Sequence, residues 1–394
     1  MRSEWESKSE EEGRMEIGGD MLEEIVCRLA LVDLVWANRV SSAWRSAIST
    51  SLKRLNTLKP WLVIHSQYST NSATARAVAY DPRSHLWMEI RKPPPPAGYF
   101  SPLRSSHSSL LYMISSSRFA YSVDPLHLHW HEAPTPPMGG WQWRPDPVVA
   151  AVGKHLVIVA AGCGSCLIDD HTVPPVQIYD TTTATWECPC DSMPTQLMDS
   201  GASTWLSVAV AVAAEEHTMY VSVKSSGVTF SFDPRSRSWS GGYDVRRRGG
   251  GGGESVFYSE IAWCSGSGVI AVGLTGEAES VSSVVMWEVE GEGVCSWRMP
   301  AELLEKLKGD SAGYMPSISV NVMDDFVFIH NPLQPREVIV CHLHLRTCRW
   351  GSVCVGVAAF DDACLFRSLV FAASTVTLPH LELAFKLGTT LKTL

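Results

Sequence analysis

Apolar and polar side chains alternate along residues 228–232 (VTFSF), break at Asp233-Pro234, and resume at Trp239. Period two with a turn signal in the middle predicts a strand, a tight turn and a returning strand. Asp suits such a turn because its carboxylate bonds nearby backbone N–H groups, and Pro fixes φ for the next position. Apolar runs precede several such turns: GKHLVIVAAG (153–162), HTMYVSV (217–223), GVIAVGL (268–274) and DDFVFIHN (324–331). The period changes in residues 18–48. Leu22, Ile25, Val26 and Leu29 fall at i, i+3, i+4 and i+7, the spacing of one helical face. Asp20 is the expected N-cap, with Glu23 completing a capping box. Asp33 is expected to cap a second short helix through Leu34 and Ala37. Ser41 or Ser42 is expected to cap a third, with Trp44, Ala47 and Ile48 on one face.

The strand–turn–strand unit recurs. YDPRSHLW (80–87) and FDPRSRSW (232–239) nearly repeat each other. Asp81 precedes Trp87 by six positions, and the same spacing joins Asp124 to Trp130, Asp180 to Trp186 and Asp233 to Trp239. Weaker copies without the Asp end at Trp297 and Trp350. Successive anchor Trp residues are 43, 56, 53, 58 and 53 positions apart. A repeated unit of this size, holding three or four short strands, is the pattern of a propeller blade. An all-β sandwich with Trp placed by chance is the competing reading.

Length and composition fit that picture. The chain has 394 residues, 45% hydrophobic and 19% charged, enough for a large repetitive core. A net charge of −9 argues against a broad nucleic-acid or anionic-membrane footprint. The 11 cysteines are odd in number and scattered, which points to a reducing compartment, cytoplasmic or nuclear. The N-terminus has no apolar signal-peptide core. The run WLSVAVAVAA (205–214) is too short to span a bilayer and reads as a buried strand.

The repeated unit resembles the kelch repeat. Its later half is clear, whereas the glycine pair of that family is degenerate, with Gly162, Gly227 and Gly273 near the expected position. The resemblance implies a mainly β fold: a kelch-type β-propeller of six blades over residues 57–394, with Asp81, Trp87, Asp124, Trp130, Asp180, Trp186, Asp233, Trp239, Trp297 and Trp350 as its repeat-forming positions. The first copy, starting at WLVIH (61–65), lacks an inner strand. SLVFAAST (368–375) is expected to supply it, closing the ring and removing exposed edges.

Residues 16–56 resemble an F-box, preceded by a disordered N-terminus (1–15). The match runs through Met21, Leu22, Ile25, Arg28, Leu29, Leu31, Asp33, Leu34, Val40, Trp44 and Arg45. It departs at Gly18-Gly19, Ala30 and Ser41, where the family has Leu-Pro, Pro and Cys. The resemblance implies that Met21, Leu22, Ile25, Leu29, Leu31, Leu34, Val40 and Trp44 dock a Skp1-like adaptor by a helix-in-groove contact. It further implies a substrate receptor of an SCF ubiquitin ligase, whose propeller holds a target protein for ubiquitination and degradation. The junction TLKPWLVIHSQ (57–67) is similar to a plant subgroup that removes phenylpropanoid enzymes such as chalcone synthase. The alternatives are a propeller scaffold that recruits no ligase, and a propeller enzyme.

No convergent catalytic set, metal site or cofactor motif is expected. Cys163-Gly-Ser-Cys166 and Cys188-Pro-Cys190 fit no zinc spacing and read as thiols in turns. His127, His129 and His131 alternate around Trp130 and would share a strand face, with no acidic partner evident. RRRGGGGGE (246–254) lacks the Lys-Ser/Thr of a phosphate loop, and KPPPP (92–96) reads as a stiff connection. Target recognition is expected in segments 92–108, 135–147, 164–175, 192–204, 241–256 and 306–316.

Overall fold

The local chemistry of the Asp-to-Trp stretches explains their recurrence. In the computed structural model, one carboxylate oxygen of Asp81 accepts from the N–H of Arg83 at 2.9 Å, that of Asp180 from Thr182 at 2.8 Å, and that of Asp233 from Arg235 at 2.8 Å. Each Asp thereby closes an Asx turn. The residue four positions on is left-handed in all three turns: His85 (φ 59°), Ala184 (φ 55°) and Arg237 (φ 57°). The chain then returns so that Trp87 pairs with Tyr80, Trp186 with Tyr179 and Trp239 with Phe232. Their rings lie 5.2, 5.0 and 4.8 Å apart. Trp87 Nε1 donates to the Cys354 carbonyl at 3.0 Å and Trp186 Nε1 to the Pro134 carbonyl at 2.7 Å. Each of these two Trp residues thus ties its own sheet to the end of a neighbouring one.

The structure describes residues 19–54, 59–68, 71–91, 102–114, 118–134, 147–159, 176–187, 193–200, 203–211, 217–249, 255–289, 295–310, 314–355 and 367–394. Six antiparallel sheets are the blades. Blade one is Arg367–Ser374, Trp61–Tyr68, Asn71–Asp81, Leu86–Arg91 and Thr390–Thr393, from the inside out. Blade two is Leu111–Ile114, Phe119–Ser122 and His131–Ala133, with a single bridge from Arg104 to Tyr112 in place of an inner strand. Blade three is Val148–Val152, His155–Val159, Val176–Asp180 and Thr185–Trp186. Blade four is Leu206–Val210, Met219–Val223, Val228–Asp233 and Ser238–Asp244. Blade five is Val256–Cys264, Gly268–Glu277, Ser280–Glu288 and Ser296–Arg298. Blade six is Ser319–Met323, Phe326–His330, Glu337–His344 and Thr347–Cys354.

Ring closure follows the expectation. Arg367–Ser374 pairs with Trp61–Tyr68 along its whole length, from Trp61↔Ser374 to Tyr68↔Arg367. Glycine serves packing at two kelch-like positions. A Cβ at Gly273 would meet the buried Trp287 ring at 2.8 Å, and Gly227 takes φ +72° beside Asp244 and Arg246.

Blade two breaks the repeat. Asp124 takes backbone N–H groups from Leu126, Leu128 and His129, so its turn is longer. Trp130 consequently precedes the strand His131–Ala133 instead of pairing within it. In blades five and six, Trp297 pairs with Met286 and Trp350 with Cys341, so the hairpin survives loss of the Asp. Cys341 and Cys348 form a disulfide across the blade-six hairpin, a pairing the sequence did not point to.

Three helices precede the propeller: α1 (Gly19–Arg28), α2 (Leu31–Ala37) and α3 (Ser42–Arg54). Asp20 and Asp33 sit in first turns and not at caps. The residue before α2 is Ala30, with no side chain to cap, and the N–H of Leu31 instead meets the Asp81 carboxylate of blade one at 3.4 Å. Ser41 does cap α3, its Oγ accepting from Trp44 N at 3.3 Å. Helices and blade one share one core, in which Leu22, Val26, Leu34 and Ile48 meet Trp61, Val63, Ala79 and Met88. A further helix, Leu378–Lys386, adds Leu381 and Ala384 to that core. Thirty-odd residues of short helix bury too little by themselves, and blade one provides the missing floor.

Candidate functional site: two opposite faces of the propeller

In an antiparallel blade, successive hairpins point to alternate ends of the strands. The Asp turns join third and fourth strands on one face of the ring. Connections from second to third strands, and from blade to blade, leave from the other.

The helices sit on the Asp-turn face. Arg83 Nη2 donates to the Val26 carbonyl at 2.8 Å, and Asp81 meets Leu31 N, so the blade-one turn holds both α1 and α2. The residues implied to dock an adaptor divide by exposure. Met21 (64% exposed) and Val40 (65%) face solvent, and Ile25, Leu29 and Trp44 are half-buried. Leu22, Leu31 and Leu34 are buried against blade one and the helix Leu378–Lys386. Sequence reasoning missed Trp36, which is 53% exposed, stacks on Phe385 at 5.3 Å, and carries the Arg39 guanidinium 5.1 Å from its ring centroid. Its signal was a large aromatic on the polar side of α2.

The opposite face carries a cavity on the ring axis, of about 530 Å³. Every blade lines it, through the starts of innermost strands (Val148, Leu206, Ser319, Ser368) and the ends of second strands (Gln67, Lys224, His330). Lys224 Nζ and Glu260 Oε1 form an ion pair at 2.9 Å, both side chains largely buried. Glu260 also accepts from Tyr258 Oη at 2.9 Å and from Val320 N at 3.3 Å. Burial, with the Glu260 charge adding to it, pushes the Tyr258 phenol far above its usual range. Burial holds His330 down to about 3, so it is neutral at physiological pH; its ring stacks on Phe371 at 3.7 Å. No run of sequence could expose this set, because Arg104, Lys224, Glu260 and His330 meet only when the ring closes.

All the segments expected to read a target leave from this cavity face. Their parts at 92–101, 135–146, 164–175, 192, 201–202, 250–254 and 311–313 lie outside the described residues, as do KPPPP, Gly162, Cys163, Cys166, Cys188 and Cys190. Residues 246–249 form a single helical turn.

The three histidines of blade two do not share a strand face. His127 is buried in the turn (φ 54°), edge-on to His65 at 5.1 Å. His129 is exposed and within 3.3 Å of Asp124, an acidic partner absent from the sequence reading, and His131 stacks on Tyr121. Among the described residues, His155, Asp180 and Glu187 bring potential metal-ligand atoms within 4.8 Å. Their charges are already matched: Lys154 lies 2.6 Å from Asp180, Arg237 lies 3.0 Å from Glu187, and His155 meets Glu187 at 3.1 Å. The Lys154 hydrogen bond holds the Asp180 carboxyl down to about 2. The group is a clasp between blades three and four.

Among the described residues no helix is long and apolar enough to cross a membrane. No family model matches the sequence. Distant likenesses to solved structures include the structure of YjhT (11% identity, 66% of this chain and 85% of that one, TM-score 0.37). A chain of a nidogen/laminin complex is another (7% identity, 80% and 98%, TM-score 0.42). Neither bears on function. The F-box/kelch-repeat protein At1g23390 of Arabidopsis thaliana is 35% identical over 385 residues, covering 94% of this chain and 92% of that protein. That match covers nearly the whole of both chains, and the chain belongs to the plant-type F-box/kelch-repeat proteins.

Proposed function

We propose that the protein is the substrate-recognition subunit of an SCF-type E3 ubiquitin ligase and has no catalytic role of its own. The observation that carries this reading is the division of labour between faces. The F-box helices are clamped to the Asp-turn face of blade one, and the connections expected to read a target leave from the opposite face with the axial cavity. A target held there would sit across the ring from an adaptor on Met21, Ile25, Leu29, Val40 and Trp44, with Leu22, Leu31 and Leu34 supporting them from inside. Skp1-like adaptor and cullin are the partners of this reading, with no nucleic acid or membrane. The target class is a flavonoid or phenylpropanoid biosynthetic enzyme, and the location is cytoplasmic or nuclear.

The burial of Leu22, Leu31 and Leu34 favours a second reading, in which the helices are a structural cap and the propeller a scaffold that recruits no ligase. Affinity purification from plant cells with the proteasome blocked separates the two. The intact chain is compared with a Met21→Asp/Val40→Asp variant, which charges exposed positions and leaves the core alone. Loss of adaptor and cullin from the variant, with other partners retained, supports the receptor. Absence of adaptor from both, while a control F-box protein captures it, supports the scaffold.

A further inference from the structure

We propose that Trp36, mounted on Phe385 of the helix Leu378–Lys386, is a further anchor of the adaptor contact, so that chain beyond the ring-closing strand belongs to the docking platform. This rests on the receptor reading and adds to it a residue outside the F-box resemblance and a helix outside the F-box.

Helix α2 has apolar residues on more than one side. Leu31, Leu34 and Val35 are buried in the core shared with blade one. Trp36 points away from that core and leaves 53% of its surface in solvent. The N–H groups of Arg39 and Val40 bond the carbonyls of Trp36 and Ala37 at 3.0 and 3.1 Å. The winding therefore continues past the end of α2 and sets Val40 one turn beyond Trp36. Val40 is 65% exposed and is one of the residues implied to dock the adaptor, so Trp36 extends that surface and does not start another. An exposed Trp beside an exposed Arg39 has the composition of an interface centre, where Trp and Arg are enriched.

The mount of Trp36 separates it from an incidental exposed ring. Its indole stacks on Phe385 at 5.3 Å with 29° between the planes, and the Arg39 guanidinium stands 5.1 Å from its centroid. Phe385 is half-buried, and Leu381 and Ala384 fasten the same helix into the core beneath the F-box. The helix is held on both sides along the chain. Before it, Arg367–Ser374 pairs with Trp61–Tyr68, and after it Thr390–Thr393 pairs with Leu86–Arg91. The indole is thus fixed before a partner arrives, and it has little side-chain freedom left to lose on docking. Leu383 of the same helix is also 45% exposed, but it stands two positions from Phe385, on the opposite side of the helix. The docking surface therefore takes in the Phe385 side of this helix and not the Leu383 side.

The test is calorimetric titration of the full chain with a purified Skp1-like adaptor. Trp36→Ala, at an exposed position that leaves the core intact, is expected to weaken adaptor binding by about tenfold or more. Phe385→Leu keeps apolar packing and removes the stack; it is expected to weaken binding about threefold. In the Trp36→Ala background the same change is expected to have no further effect, because Phe385 acts through the indole. Leu383→Ser is expected to change the affinity by less than about twofold. Full adaptor affinity in Trp36→Ala overturns the proposal. So does an effect of Phe385→Leu that persists undiminished without Trp36, or a loss in Leu383→Ser as large as that in Trp36→Ala. Unchanged adaptor affinity in Trp36→Ala, with loss of a dimer that the unmodified chain forms in light scattering, overturns it in favour of a second copy. Failure of the unmodified chain to bind the adaptor, while a control F-box protein binds, ends the receptor reading and this proposal together; the other outcomes leave that reading standing.

Discussion

Arg83 reaches across 2.8 Å to the carbonyl of Val26, binding a propeller turn to the last turn of a helix. That carbonyl belongs to the last turn of α1, where it also accepts from Leu29 N at 3.3 Å, so Arg83 gives it a second donor. The same Asp-Pro-Arg-Ser motif recurs in blade four, where Arg235 is exposed. One turn sequence therefore serves twice as a hairpin and once as a mount. Arg83→Ala should lower the protection of residues 19–37 in hydrogen exchange by about 1–2 kcal/mol, while Arg235→Ala changes stability by less than about 0.5. Equal effects of the two would contradict the mount.

The left-handed position of the repeat turn offers a gain. Ala184 holds φ 55°, a conformation that strains any residue with a Cβ. Ala184→Gly should raise stability by about 0.5–1 kcal/mol, read from the denaturation midpoint. Asp233→Ala should cost about 1–2 kcal/mol, because Arg235 N loses its acceptor.

The repeat Trp residues act by ring and by N–H. Trp186→Phe keeps most of the packing on Tyr179 but gives up the bond to Pro134, so a loss of about 1 kcal/mol is expected in thermal melting. Trp239→Ala removes the ring from Phe232 and should cost about 2–4 kcal/mol, less than a fully buried Trp because part of its ring is solvated.

His330 sets a pH dependence. Its folded value is about 3 against an ordinary 6.5, so between them the unfolded chain takes up a proton that the folded chain refuses. The contribution is complete above pH 6.5 and is lost as pH falls toward 3, by about 1.4 kcal/mol per pH unit at most. Denaturant midpoints at pH 7.5 and pH 5 should converge in His330→Phe relative to the unmodified chain. An unchanged difference would show that His330 charges freely in the fold.

The blades were legible because their signal is local. Asp, the left-handed residue and the Trp lie within seven positions, and period two marks the strands beside them. The closing strand was legible for a related reason, since a blade that lacks an inner strand demands one. Blade two was misread: Asp124 and Trp130 keep the spacing, but three backbone bonds to one carboxylate lengthen the turn, and spacing alone does not reveal that. The cap of α2 was misassigned because the acceptor for Leu31 comes from Asp81, fifty positions away. The burial of Leu31 and Leu34 was hidden likewise, since a helical stripe shows that a face is covered but not by what. The cavity gave no sequence signal, as its members are strand-end residues from every blade.

The strand that closes the ring also fixes when the molecule becomes competent. Trp61–Tyr68 is synthesised some three hundred residues before its partner Arg367–Ser374, and the core beneath the F-box draws Val376, Leu381 and Ala384 from the stretch that follows. The helices rest on blade-one residues that follow them directly and on others some three hundred positions later. Connectivity thus imposes an order of events: until Val376, Leu381 and Ala384 are in place, the helices lie on an unfinished seat. The ring and the helical platform are completed by one and the same stretch of chain.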